Sequence, residues 1–412
     1  MRIERPAAIL ALLTGLNFLN YVDRYLVAAV SPKFQEELAL SQFQTGLVIS
    51  AFMVGYFVTS PIFGALGDRP GGARRHLMAL GVALWSVATV LSGMAHGITS
   101  MVLARVAVGV GEASYATIAP TIIDDLAPAG RKNRWLAIFY LATPVGSALG
   151  YLLGGFLEHA YGWRSAFFVA GGPGVALALL VLLVRDPVRI APIEHADKGG
   201  LRVLLRSPMY VACVAGYCAY TFAVGGFAAW APKFLYQVHR LPLVKADFFF
   251  GVVAVLAGII GTVLGGTVAD RGLKGATEDQ RIRAYLRYSA IVTAIGVPLA
   301  AATVVAGSPL LFFVAIFLCE TALFASTSPI NAVILGSVPP AVRATAMAAS
   351  IFAIHALGDF ISPPLIGWVA DRATLRAGLW LLPVAVAVCA VIWWRGSRAV
   401  INRAPDQAPA LH

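Results

Sequence analysis

Twelve apolar runs follow one another along this chain, at about 7–30, 42–66, 77–95, 99–124, 134–158, 163–185, 208–231, 246–270, 285–306, 309–338, 342–370 and 374–394. Each approaches or exceeds the ~20 residues that an α-helix needs to cross the hydrocarbon core of a bilayer. Lipid offers no hydrogen-bond partners, so a spanning backbone must satisfy its own N–H and C=O groups, as helices or a closed barrel. Runs of this length predict helices, numbered here segments 1 to 12. Composition agrees, because 59% of the 412 residues are hydrophobic and only 12% are charged. A soluble domain carries about 25% charged residues.

The net charge of +11 is distributed by side of the membrane. An even number of crossings puts both termini on one side, and 22 Lys and Arg fall in the termini and loops of that side. The opposite loops hold seven, and Arg24 and Arg105 lie inside segments. The positive-inside rule therefore predicts that both termini and the central linker are cytoplasmic, in a bacterial inner membrane. The basic excess reads as topology and contact with anionic membrane lipids, not as a nucleic-acid surface. Cys213, Cys218, Cys319 and Cys389 all fall within apolar runs and lack metal-ligand spacing, so small packing roles are expected. Residues 1–30 read as a permanent first helix, because Asn17, Asn20, Asp23 and Arg24 interrupt the run and no small-x-small cleavage site follows it.

The chain repeats itself. Gly64-Ala-Leu-Gly-Asp68-Arg69, Gly266-Thr-Val-Ala-Asp270-Arg271 and Gly367-Trp-Val-Ala-Asp371-Arg372 each close an apolar run, and the first two aspartates are 202 residues apart. Pro32-Lys33-Phe34 after segment 1 returns as Pro232-Lys233-Phe234 after segment 7. Glu112 and Pro120 in segment 4 correspond to Glu320 and Pro329 in segment 10. Gly154-Gly-Phe-Leu-Glu158-His159 closes segment 5 as the Asp-Arg pattern closes segment 11. The expected architecture is all-α: twelve transmembrane helices in two pseudo-symmetric six-helix bundles, built from three-helix units with alternate units inverted. The bundles are placed at 1–185 and 208–394, with a cytoplasmic linker at 186–207 and a cytoplasmic tail at 395–412.

Across its full length the chain resembles the major facilitator superfamily. The stretch Gly64-Ala-Leu-Gly-Asp68-Arg69-Pro-Gly-Gly-Ala-Arg74-Arg75 resembles that superfamily's cytoplasmic signature, with Gly71-Gly72-Ala73 lengthening the gap before the arginine pair. Asn20-Tyr21-Val22-Asp23-Arg24-Tyr25, with Gly109-Val-Gly111-Glu112-Ala113-Ser114, resembles the spinster branch. That resemblance implies alternating-access transport of lysophospholipids or sphingoid-type lipids. Organic-anion branches open similarly, which implies small organic anions or sugar acids as the alternative substrate.

Ionisable groups at membrane depth cost at least ~2.5 kcal/mol each, so they mark a partner, a wet cavity or a task. Asp23 and Arg24 are neighbours that point about 100° apart on a helix, and their counterparts in segment 7 are Ala223 and Val224. That one-sidedness favours a task over a packing role. Arg105 and Glu112 are seven apart and share one face of segment 4. The expectation is that Asp23 and Glu112 exchange a proton while Arg24 shifts between them and an anionic substrate group; a structural Arg105–Glu112 pair is the plainer reading. Asn17, Asn20, Tyr21, Arg105, Glu320, Tyr217 and Tyr220 are candidate substrate contacts. His355 and Asp359, four apart, are expected to pair. Asp68, Arg69, Arg74, Arg75, Asp270 and Arg271 read as a cytoplasmic gate, in which a carboxylate reaches an arginine or the N-terminus of a facing helix. Gly146, Gly150 and Gly154 in segment 5, and Gly261 and Gly265 in segment 8, permit close helix approach and are expected at the moving interface. No Walker loop, Ser–His–Asp spacing or metal-ligand cluster is present in the sequence. The expectation is therefore a monomeric proton-coupled transporter with no cofactor and no metal, rather than an enzyme or a non-transporting lipid sensor.

Overall fold

The computed structural model describes residues 3–69, 74–128, 131–186, 200–273 and 275–399. Apart from one β-bridge between Ile3 and Val184, the described residues form helices and short connections. Gly71, Gly72 and Ala73, most of the linker, and the tail beyond 399 lie outside the described residues.

Segment 1 is the helix Pro6–Glu37, seven residues longer at its C-terminal end than its apolar run. Segments 2 to 6 follow as Gln42–Gly67, Arg74–Gly93, Ile98–Leu126, Lys132–Tyr161 and Trp163–Leu182. A short helix, Gly200–Leu205, precedes segments 7 and 8, Pro208–Gln237 and Leu243–Val268. Segment 9 is Glu278–Val305, and segment 10 is Pro309–Phe324 continued by Thr327–Gly336. Segment 11 runs Arg343–Ile354, a π-helical turn His355–Asp359, and Ser362–Arg372. Segment 12 is Leu375–Leu379 continued by Leu381–Gly396. Eleven of these helices are long and apolar enough to cross a membrane by composition. The remaining one, segment 1, has ample length at 32 residues but carries the polar group from Asn17 to Arg24.

Two helix starts carry reciprocal side-chain caps. Ser41 and Gln44 form a reciprocal capping box at segment 2, and Thr277 and Gln280 form another at segment 9. The face carrying Arg69, Arg74 and Arg131 is the arginine-rich face. Segments 1, 3 and 5 end at the opposite, far face.

Two compact units emerge from the packing. The first comprises Met1–Ile193 with Ala228–Val255 and Pro363–Gly378, so it holds segments 1 to 6 together with the far-face parts of segments 7, 8 and 11. In it, segment 1 lies along segment 5, and segment 4 packs against segments 2 and 3. Buried Leu13, Leu16, Val82, Trp85, Tyr115 and Phe139 form one apolar core. Leu26, Val30, Phe34, Val48, Trp163 and Phe167 form a second, nearer the far face. The other unit comprises Glu194–Phe227, Leu256–Ser362 and Leu379–His412. There, segment 9 packs beside segments 10 and 12.

The glycine spacing does set close approaches, but within units. Cβ atoms placed at Gly146, Gly150 and Gly154 would meet Phe18 O, Val22 O and Ala29 Cβ of segment 1 at 2.6–2.7 Å. Those at Gly261 and Gly265 would meet Thr321 and Ala325 of segment 10. Both stripes therefore bind helices inside a unit and do not form the smooth moving surface expected from the sequence. A four-residue spacing defines a face, and it leaves the partner of that face open.

Candidate functional site

Four charged side chains meet between segments 1 and 4, and they pair crosswise. Arg24 donates from Nε to Glu112 Oε2 at 2.8 Å, and a second guanidinium nitrogen lies 2.8 Å from the same oxygen. Arg105 reaches back to Asp23 Oδ1 at 3.2 Å, and the Thr89 hydroxyl donates to Asp23 Oδ2 at 2.6 Å. The plainer Arg105–Glu112 pair is not formed, because each partner turns to segment 1. Asp23, Arg105 and Glu112 are at most 1% exposed, whereas the Arg24 side chain is 18% exposed. Arg24 is thus the least buried member of the quartet.

The quartet is only partly satisfied. Glu112 Oε1 and Arg105 Nε and Nη2 are buried without hydrogen-bond partners among the described residues. Unpaired buried polar atoms cost free energy, so the arrangement carries capacity for a further donor or acceptor. Around Arg24 stand the rings of Phe52, Tyr21 and Tyr56, with centroids 4.9, 5.2 and 5.4 Å from its guanidinium carbon. Cation–π attraction of this kind holds a guanidinium in place without neutralising it. Phe52 reaches the site because segment 2 lies directly on segment 4: a Cβ at Gly109 would collide with the Phe52 carbonyl.

Asn17 and Asn20 are buried two turns and one turn before Arg24, respectively. Asn17 donates to Phe139 O at 3.0 Å and ties segment 1 to segment 5. The Asn20 amide nitrogen has no hydrogen-bond partner among the described residues. Thr89, Phe52 and Tyr56 were not singled out from sequence. The signal for Thr89 was present: Ser86, Thr89 and Ser92 form a fully buried hydroxyl stripe on segment 3. Ser86 and Ser92 bond back to their own helix, and Thr89 alone of the three turns to the quartet.

In the second unit Glu320 is buried, with Oε2 lacking a hydrogen-bond partner among the described residues. Tyr220 lies 3.4 Å from the Thr327 hydroxyl, and its ring stacks on Trp393 with centroids 6.2 Å apart. Tyr217 meets Tyr220 edge-on at 5.3 Å. Trp393 in turn donates to Cys213 O at 2.9 Å, so these rings join segment 7 to segment 12. His355 Nδ1 lies 2.9 Å from Asp359 Oδ2 within the π-helical turn, as the four-residue spacing predicts.

The repeated Asp-Arg endings have different partners. Asp270 accepts from the Tyr285 hydroxyl at 2.6 Å. The backbone N–H of Asp68 closes the last turn of segment 2 on Gly64 O at 3.0 Å. Arg74 is 4% exposed and bridges Asp125 at 2.6 Å and Asp186 at 2.9 Å, tying segment 3 to the ends of segments 4 and 6. Arg69 and Arg271 are exposed, and Arg75 is half-buried. A carboxylate-to-helix contact of the kind expected at the gate forms at Asp371, on the far face. Its two oxygens accept the backbone N–H groups of Gln42 and Phe43 at 2.7 and 2.9 Å, which caps segment 2. Nearby in the same unit, Lys33 donates to the Tyr236 hydroxyl at 2.9 Å, and Tyr151 donates to Ala228 O at 2.6 Å.

The Major Facilitator Superfamily profile matches residues 13–363. Protein spinster homolog 1 of Homo sapiens is 37% identical over 407 residues, covering 89% of this chain and 74% of that protein. Probable sphingolipid transporter spinster homolog 2 of Arabidopsis thaliana is 31% identical, covering 94% and 86%. Among solved structures, a bacterial homolog of the human lysosomal transporter spinster, inward-facing and unoccupied, superposes with a TM-score of 0.84 at 22% identity, over 95% of this chain and 97% of that one. A D-xylose–proton symporter shares the fold at a TM-score of 0.71 and 17% identity, over 94% and 97%. With the profile spanning most of its length and relatives above 30% identity along most of both chains, this integral membrane protein belongs to the major facilitator superfamily and, within it, to the spinster family of transporters.

Proposed function

We propose that the protein is a proton-coupled secondary transporter of a lysophospholipid or sphingoid-type lipid, with Arg24 receiving the anionic head. One observation carries this reading: Arg24 is held between a buried carboxylate and a ring of aromatics, and it alone of the buried quartet is open to an incoming group. The names of the plant relatives refer to sphingolipid transport, which supports an amphipathic substrate here.

The coupling follows from charge balance. When an anionic head takes the Arg24 guanidinium, Glu112 loses its partner, and a bare carboxylate in dry protein is strongly disfavoured. A proton on Glu112 replaces the lost cation. Asp23 stays held by Arg105 and Thr89 and passes or accepts the proton as segments 1 and 4 rearrange. Asn17, Asn20, Tyr21, Glu320, Tyr217 and Tyr220 are assigned to the polar and aromatic lining of the path. The arginine-rich face is taken as cytoplasmic, in a bacterial inner membrane. The bundles 1–185 and 208–394 are the moving bodies, joined by the linker 186–207 and followed by the tail 395–412. Asp68, Arg69, Arg74, Arg75, Asp270 and Arg271 act at the inner gate.

Uptake of fluorescent lysolipid into proteoliposomes, with and without an imposed pH gradient and beside a labelled sugar acid, tests the proposal. Gradient-driven lysolipid flux that is lost in Asp23→Asn and Glu112→Gln, with binding retained, is the expected result. Sugar-acid flux in place of lipid flux would assign the alternative substrate. Gradient-independent flux in both variants would remove the proton from the mechanism.

A further inference from the structure

Away from the quartet, the second unit contains a basic cavity of about 400 Å³ between the start of segment 9 and the end of segment 12. We propose that it is a binding site for the phosphate of an anionic membrane lipid. Gln280, Arg283 and Arg287 line it from segment 9, at positions i, i+3 and i+7 of one helical face. Trp394, Ser397 and Arg398 line it from segment 12. No carboxylate lines the cavity, and among the described residues none forms an ion pair with Arg283, Arg287 or Arg398. Three guanidiniums gathered without a counter-charge repel one another, and a shared anion removes that repulsion.

The arrangement is ordered as well as basic. Arg287 and Arg398 both stack on the Trp394 indole, with guanidinium carbons 5.1 and 5.7 Å from a ring centroid. Stacking fixes the guanidinium planes and leaves their N–H forks for oxygen, the geometry that suits phosphate. The Gln280 side-chain oxygen is occupied by the Thr277 N–H of the capping box, so its amide hydrogens are what it offers the cavity.

A lipid is favoured over a free anion by what lies toward the membrane centre on the same helical faces. Ile291 and Ile295 follow Arg287 at four and eight residues, and both are exposed. Val391 and Val384 lie seven and fourteen residues before Arg398, and both are exposed. A phosphate seated among the arginines would direct its acyl chains along this apolar track. The Trp394 indole sits at the junction, as interfacial tryptophans do. A free phosphate would use the cavity and leave the track bare.

Native mass spectrometry of the purified full chain, with phosphatidylglycerol or phosphatidylcholine of matched acyl chains added back, provides the test. The parent protein is expected to retain phosphatidylglycerol preferentially. Arg287→Gln/Arg398→Gln should bind it about ten-fold more weakly, with phosphatidylcholine binding unchanged. Arg287→Lys/Arg398→Lys keeps the charge but loses the fork, and should fall between the two. Arg281→Gln/Arg395→Gln, at the same ends of segments 9 and 12 but outside the cavity lining, should leave binding intact. Equal retention by the parent and the glutamine variant, or equal loss in the control variant, would overturn the site. Displacement of the lipid by excess inorganic phosphate would overturn its assignment to a lipid.

Discussion

Arg24 and Glu112 show what a chain reveals residue by residue and what it withholds. A buried acid and base are conspicuous in a 12%-charged sequence, and all four members of the quartet could be picked out from cost alone. Their partners could not. The pairing depends on how segment 1 is rotated against segment 4, and that angle is set by packing such as Asn17 on Phe139 and Gly109 on Phe52. Arg24→Ala is expected to weaken anionic-substrate binding by about 10- to 100-fold, the value of one or two charge-assisted hydrogen bonds. Equilibrium binding to the purified protein reads this directly, and unchanged affinity would remove Arg24 from the site. Thr89→Val removes one of the two groups that hold Asp23. Arg105 is then the remaining described partner of Asp23, so gradient-driven flux should fall while substrate affinity is preserved. Flux identical to the parent's would show that Thr89 does not act through Asp23.

Segment 11 shows the same division at the scale of an element. Its Asp-Arg ending was legible as a repeat of those closing segments 2 and 8, but the carboxylates of segments 8 and 11 have different fates. Asp270 bonds a tyrosine, and Asp371 caps a neighbouring helix. A short signature fixes where a carboxylate sits on its own helix, whereas the facing helix decides its use. The π-helical turn at His355–Asp359 had no clear sequence mark beyond the His–Asp spacing. It brings Gly358 against Thr221, whose hydroxyl accepts the role of donor to Ile354 O at 2.8 Å. Asp371→Asn removes the charge from the cap and weakens it by about 1 kcal/mol, a roughly five-fold change in any equilibrium that breaks the contact. An introduced far-face cysteine near Phe43 should therefore react about five-fold faster with a membrane-impermeant thiol reagent. An unchanged rate would mean that the cap does not limit opening there.

For the whole molecule, the far-face contacts inside the first unit bear on how the protein moves. Segment 5 meets segment 8 where a Cβ at Gly155 would lie 2.7 Å from Asp247 Oδ2 and 3.2 Å from Val244 Cα. Asp247 is fully buried there, and neither carboxyl oxygen has a hydrogen-bond partner among the described residues. A buried carboxyl without partners is tolerable only while the surrounding packing excludes better alternatives, and water would reward its exposure. The cost of burying Asp247 is balanced in this unit by contacts such as the Asp371 cap and the Lys33–Tyr236 bond. A larger side chain at position 155 should tip that balance. In Gly155→Leu, segments 5 and 8 cannot approach as they do here, so the far face should spend more time open. The expected outcome is faster labelling of a cysteine placed at Val244, together with slower net transport, because a carrier held on one side cannot complete its cycle. Asp247→Asn, which keeps the shape but removes the chance to ionise, should slow that labelling relative to the parent. If Gly155→Leu transports normally with unaltered labelling, the contact between segments 5 and 8 is not part of the far-face closure.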